Sequence, residues 1–110
     1  MTRQETIAEI TRRLVEYFRP ERIYLFGSAA RGDYGPDSDL DFCIVLPDDA
    51  PKDLYRPKAR EAIRGIGTAV DLVRVPLRDF DLRSKYVAAS LPAAVLREGK
   101  LLYDAGRFAA

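Results

Sequence analysis

Three aspartates and a glycine–serine pair are the residues in this chain whose types and spacing point to joint chemistry. Asp39 and Asp41 open Asp39–Leu40–Asp41–Phe42–Cys43–Ile44–Val45–Leu46, the clearest strand-like run in the sequence. Side chains alternate faces along a strand, so the two carboxylates point the same way, roughly 7 Å apart. Leu40, Phe42, Ile44 and Leu46 then form a core-facing row on the other side. Like charges fixed on one face repel unless something positive sits between them. A divalent cation is the usual answer, and hard oxygen ligands with open positions suit Mg²⁺, which shares its shell with waters and substrate phosphates.

Gly27–Ser28 follows directly on the aromatic, β-branched run Arg22–Phe26 and opens a turn or short helix. Glycine lets the backbone approach a ligand closely, and the freed N–H groups at a helix start favour an anion. The Ser28 hydroxyl adds a donor for a phosphate oxygen. Arg31, one turn on, either reaches the same phosphates or pairs with Asp33 or Asp37 at the surface. Asp71 lies in Ala69–Val70–Asp71–Leu72–Val73, where an acid interrupts an apolar strand and is costly to bury unpaired. If that strand runs beside the Asp39–Leu46 strand, Asp71 faces the same metals and helps to orient or deprotonate an attacking hydroxyl. A phosphate cradle beside metal-binding carboxylates is equipment for phosphoryl or nucleotidyl transfer. Cys43 falls on the carboxylate face by alternation, but a thiol is a poor Mg²⁺ ligand and reads as a packing residue.

Taken singly, each of these residues has a plainer reading. The aspartates could cap a polar loop, Asp71 could be an edge-strand acid facing water, and Ser28 could be a turn hydroxyl. The spacing decides: ten residues, Ala29 to Ser38, separate Gly27–Ser28 from Asp39–Leu40–Asp41, and the stretch reads G-S-A-A-R-G-D-Y-G-P-D-S-D-L-D.

The elements that must position these groups follow from periodicity. Thr2–Phe18 is an amphipathic helix with capping-box spacing at Thr2 and Glu5, an apolar row of Ile7, Ile10, Leu14 and Phe18, and an end at Pro20. After the strand at Arg22–Phe26 come a helical turn at Ala29–Arg31 and a polar loop over Gly32–Ser38. A second helix is predicted over Leu54–Ile66, with Leu54, Ala59, Ala62, Ile63 and Ile66 available for burial. A third strand over Ala69–Val75 stops at Pro76. Helices over Asp79–Ala89 and Pro92–Glu98 follow, the latter capped by Gly99. Lys100–Tyr103 adds a short strand. The order predicts an α/β (α+β) fold, a mixed sheet backed by helices in one layer pair or two.

Composition narrows the function classes. The 110 residues fit one domain, with 47% hydrophobic and 32% charged residues in globular balance. The chain has no histidine, which excludes Ser-His-Asp and Cys-His nucleophilic chemistry and His-based zinc sites. One cysteine rules out an internal disulfide and agrees with a reducing compartment. No apolar run spans a bilayer and no signal-peptide core opens the chain, so a soluble, cytoplasmic protein without membrane attachment is expected. Net charge is +1 with interleaved signs, which does not favour broad binding to nucleic acid.

The stretch Gly27–Val45, with the acid in Val70–Asp71–Leu72–Val73, resembles the polymerase-β-type nucleotidyltransferases, and most closely the minimal nucleotidyltransferase proteins of bacteria and archaea. Element order and length agree over nearly the whole chain, including Leu96–Gly99 before Leu101–Tyr103. The resemblance implies a nucleotidyltransferase domain over residues 1–110, two Mg²⁺ ions and a nucleoside triphosphate, ATP first among them. By that match Gly27 and Ser28 hold the triphosphate, with Arg31 and Ser38 beside them. Asp39 and Asp41 hold the metals, and Asp71 joins them and serves the acceptor. Such minimal proteins are often antitoxins paired with a helical HEPN-type ribonuclease toxin, and some inactivate it by transferring AMP to a tyrosine. The resemblance therefore implies AMP transfer to a toxin partner, in a homo- or hetero-oligomer. The alternatives are an antitoxin that neutralises by binding alone, or nucleotide addition to tRNA or a small molecule.

Overall fold

The computed structural model describes residues 2–32 and 39–108. Helix α1 spans Arg3–Phe18, and Thr2 caps it: its hydroxyl accepts from the Glu5 amide at 3.1 Å while the Glu5 carboxylate accepts from the Thr2 amide at 2.8 Å. The helix buries Ile10, Leu14 and Phe18, three of the four residues of the expected row, with Ile7 packed at its margin. It ends before Pro20, at Arg19, which adopts the left-handed conformation (φ 50°, ψ 54°) usually left to glycine.

Strands β1 (Arg22–Phe26), β2 (Leu40–Leu46), β3 (Val70–Pro76) and β4 (Lys100–Asp104) form one sheet in the order β3-β2-β1-β4. β1 runs antiparallel to both β2 and β4, whereas β2 and β3 are parallel, so the sheet is mixed as expected. Strand alternation sorts the core into two layers. Leu40, Phe42, Ile44, Leu46, Ile23 and Leu25 pack under α1 and the crossover segment. Tyr24, Cys43, Val45 and Val75 pack under Phe80 of α3 (Leu77–Tyr86) and Val95 of α4 (Leu91–Glu98). Both faces are therefore covered, which resolves the layer question in favour of two. A short helix, α2, covers Ser28–Arg31, and another, α5, follows β4 at Ala105–Phe108.

Two elements differ from expectation, and a third meets it by a different backbone geometry. The Leu54–Ile66 helix is instead two 3₁₀ segments, Lys52–Tyr55 and Pro57–Ile63. Pro57 forces its predecessor out of the helical region, and Arg56 sits at φ −86°, ψ 157°. Ala59 and Ile63 still reach the core. α3 ends at Tyr86, ahead of Ala89, because the Ser90 hydroxyl donates to the Val87 carbonyl at 2.7 Å and caps α4 by accepting from Ala93. Gly99 closes α4 without a left-handed turn (φ −83°). Its lack of a side chain serves packing: a Cβ there would lie 2.6 Å from the Val95 carbonyl oxygen and 2.9 Å from that of Leu25.

Candidate active site

One end of the sheet gathers the acidic residues. Asp41 on β2 is the register partner of Phe26 on β1 and of Asp71 on β3, so the three residues stand in a row across the sheet on one face. Beneath them on that face lie Cys43 and Val73, then Val45 and Val75, an apolar floor roofed by Phe80. The rings of Tyr24 and Phe80 stack at 5.4 Å between centroids and fix that roof to β1. The carboxylates thus rise from rigid strands at the rim of a packed layer.

Asp41 is half-buried, while Asp71 and Asp39 are exposed. Burial raises the Asp41 carboxyl above its usual range. The facing Asp71 carboxylate, at hydrogen-bonding range, pushes it further the same way, and Asp39 adds to it. The positive charge of Arg31 opposes these effects. Two parallel strands in register have thus brought like charges together, with the charge of Arg31 as a counterweight.

The glycine–serine pair meets these acids at the end of β1. Gly27 takes φ 75°, ψ −156°, a conformation closed to other residue types, and its carbonyl accepts from the amides of Ala30 and Arg31 at 3.2 Å each. A Cβ on Gly27 would collide with Asp41 Oδ2 and lie 3.3 Å from its Cγ. The glycine is therefore required twice, by its own backbone and by the carboxylate packed against it. The amides of Ser28 and Ala29, at the first turn of α2, have no intrahelical carbonyl to bond. Ser28 is half-buried beside them.

Arg31 closes the other side. Its guanidinium lies 3.8 Å from the Glu98 carboxylate at the end of α4, with both side chains about half exposed, and its charge is felt at Asp41. The surface partner predicted at Asp33 or Asp37 falls, like Ser38, outside the described residues. Glu98 carried no signal in sequence, since an acid in the last turn of a helix is ordinary and only the fold brings it to Arg31. Cys43 is fully buried in the floor, as its packing reading requires. Burial pushes its thiol up to about 12, well away from thiolate chemistry.

The structure thus brings Asp41 into contact with Gly27 on one side and Asp71 on the other, and sets Asp39 and Arg31 close enough for their charges to be felt at Asp41. Among the described residues, no three acidic, histidine or cysteine side chains close into a ready-made metal cage. The donor set nonetheless fits Mg²⁺, because facing hard carboxylate oxygens on rigid strands leave positions for waters and phosphate oxygens. Phosphate donors at Ser28 and acids at Asp39, Asp41 and Asp71 can together bind a triphosphate through a metal. None of the described helices is long and apolar enough to cross a membrane.

Residues 5–102 match the family model described as the nucleotidyltransferase domain. A protein of Methanocaldococcus jannaschii named “putative protein adenylyltransferase” is 30% identical over 105 residues, covering 94% of this chain and all of the relative. Among solved structures, a toxin–antitoxin crystallised with AMP-PNP aligns with a TM-score of 0.59 at 23% identity, over 94% of this chain and 74% of that one. A crystal structure described as a putative nucleotidyltransferase from Sulfolobus solfataricus gives the same TM-score and identity, over 94% of this chain and 81% of its own. At that identity the two structures establish the shared fold.

Proposed function

The chain belongs to the nucleotidyltransferase domain family, and on that footing we propose that it transfers AMP from ATP to a tyrosine hydroxyl of a HEPN-type toxin partner, with Mg²⁺. The observation that carries the reading is the register pairing of Asp41 with Asp71 directly beside Gly27. The relative named for protein adenylylation and the toxin–antitoxin neighbour crystallised with AMP-PNP support the choice of AMP and of a protein acceptor.

Each residue has a part set by its place. The main chain at Gly27 and the Ser28 hydroxyl hold the triphosphate at the end of β1, with Arg31 contributing positive charge to the same phosphates. Asp39 and Asp41 would hold two Mg²⁺ ions, with Asp71 as a further ligand; when bound, the ions would supply Lewis-acid activation of the acceptor oxygen and neutralise charge on the triphosphate. Asp71, at the outer edge of the row, receives the acceptor proton. The acceptor oxygen bonds to the α-phosphorus as the bond from that phosphorus to the bridging oxygen of the β-phosphate breaks. Pyrophosphate leaves and the acceptor carries AMP. Catalysis rests on positioning and fixed charge, since the chain brings no nucleophile of its own to the reaction.

The position of the label tests this. ATP labelled at the α-phosphate is expected to mark the partner in co-expressed lysate, whereas ATP labelled at the γ-phosphate leaves it unmarked. Label passing from the γ position would identify a kinase and overturn the reading. Neutralisation of the partner in cells by the Asp39→Asn/Asp41→Asn double variant would show that binding alone suffices.

A further inference from the structure

The proposed roles run in order across the sheet: the triphosphate cradle at the end of β1, the carboxylate of Asp41 on β2, then Asp71 on β3. β3 is an edge strand, and Asp71 lies near its start, next to the outer edge of the sheet. Arg60 occupies that edge. Its guanidinium donates to the main-chain carbonyl of Val70, the residue before Asp71, at 2.7 Å. Arg74, further along β3, reaches back to the carbonyl of Arg56 at 3.3 Å. The two arginines tie the 3₁₀ segment Pro57–Ile63 alongside the strand.

Those bonds use only part of each guanidinium, which carries five donors. Among the described residues, neither Arg60 nor Arg74 meets a carboxylate. The stretch Arg56–Arg64 holds four basic residues, Arg56, Lys58, Arg60 and Arg64, against one acid, Glu61. Glu61 is itself engaged by the Tyr17 hydroxyl at 3.0 Å. Burial and the neighbouring charge of Arg60 pull Arg74 below the usual arginine range, as expected for cations crowded without an anion. Arg56 is itself paired with Asp53 at 3.2 Å, so the positive charge at the edge of β3 rests on Arg60 and Arg74.

We infer that Arg60, supported by Arg74, is a specificity residue for the acceptor: it binds an acidic side chain flanking the acceptor hydroxyl in an extended polypeptide segment that approaches along β3. The inference rests on the nucleotidyl-transfer reading above. A polypeptide fits better than RNA because the positive region is confined to one strand edge, while the chain as a whole is balanced in charge.

The test compares two synthetic tyrosine peptides as acceptors for the full chain with Mg²⁺-ATP, one with glutamates flanking the tyrosine and one with glutamines. The wild type is expected to show a KM roughly tenfold lower for the glutamate peptide, the size of a charge-assisted hydrogen bond. Arg60→Gln should erase that preference while leaving the KM for ATP, and kcat at saturating peptide, within about twofold, a split that a purely structural role would not give. Arg60→Lys should recover part of it. If Arg60→Gln fails to fold, Arg60→Lys and Arg74→Gln carry the comparison. Equal KM values for the two peptides with wild type, or a preference untouched by Arg60→Gln, would overturn the inference while leaving nucleotidyl transfer standing. An RNA oligomer that takes label in an Arg60-dependent way, with no preference between peptides, would overturn it too. Binding of the fluorescent glutamate peptide without ATP separates the two readings. Arg60-dependent binding with no transfer to any acceptor would defeat the reaction and leave the acidic-segment surface intact.

Discussion

Replacing Gly27 with alanine should damage the fold and the reaction together, and the two losses have separate sources. The backbone there sits at φ 75°, ψ −156°, and a residue with a Cβ held in such a region costs about 1–3 kcal/mol. The new Cβ would also collide with Asp41 Oδ2. Turning that carboxylate off its rotamer costs about 1 kcal/mol more. The sum, about 3 kcal/mol, corresponds to a Tm lower by about 13 °C for a chain of this size. Transfer should fall by about 100-fold, because moving Asp41 misplaces the reacting groups by an ångström or so. Gly65→Ala is the matched control: Gly65 also has positive φ (81°) but meets nothing within 4 Å. It should lose about 1 kcal/mol in urea denaturation and keep wild-type transfer. Wild-type transfer in Gly27→Ala would refute the argument that Asp41 and the Gly27 backbone form one site.

Other perturbations separate stability from chemistry. Because burial and Asp71 raise the Asp41 carboxyl, its ionised form is disfavoured in the folded chain and subtracts from stability above the ordinary carboxylate range. Asp41→Asn should therefore raise Tm at neutral pH while abolishing transfer, and Mg²⁺ should raise the Tm of wild type more than that of the variant. Cys43, pushed up to about 12 by burial, should resist thiol reagents until urea unfolds the chain. A thiol that stays protonated only in the fold supports stability below its unfolded value near 9, and that support is lost as pH rises towards about 12. Alkaline denaturation should thus be steeper for wild type than for Cys43→Ala, by about 1.4 kcal/mol per pH unit. Gly99→Ala would press a methyl onto two main-chain carbonyls, and a loss of about 2 kcal/mol in urea denaturation is expected.

Much of this could be read in the sequence because local pattern and spacing carry it. The alternation Leu40, Phe42, Ile44, Leu46 against Asp41 and Cys43 fixed which face of β2 bears the acids, and the core obeys it. Gly27 was legible as a close-approach glycine. What the backbone actually approaches, Asp41 itself, depends on β1 and β2 pairing Phe26 with Asp41, which no local pattern states. The pairing of Asp41 with Asp71 is further from view. Parallel register across a crossover is set by how the intervening segment packs, and here that segment is 3₁₀ because Pro57 interrupts it. Arg60 is in the same class: an arginine in a mixed-charge stretch gave no signal until the crossover laid it on the edge of β3. Gly99 is the helix cap that its place after Glu98 predicts, and only the fold shows that it is also a close contact between α4 and β1.

We propose Asp41, facing Asp71 beside Gly27, as the centre of a nucleotidyl-transfer site. Its most direct test is transfer of label from α-³²P-ATP in host lysate, comparing wild type with the Asp39→Asn/Asp41→Asn variant at matched folded concentration. A labelled acceptor band is expected with wild type, dependent on Mg²⁺ and absent with the variant. A band of equal intensity with both proteins would contradict it.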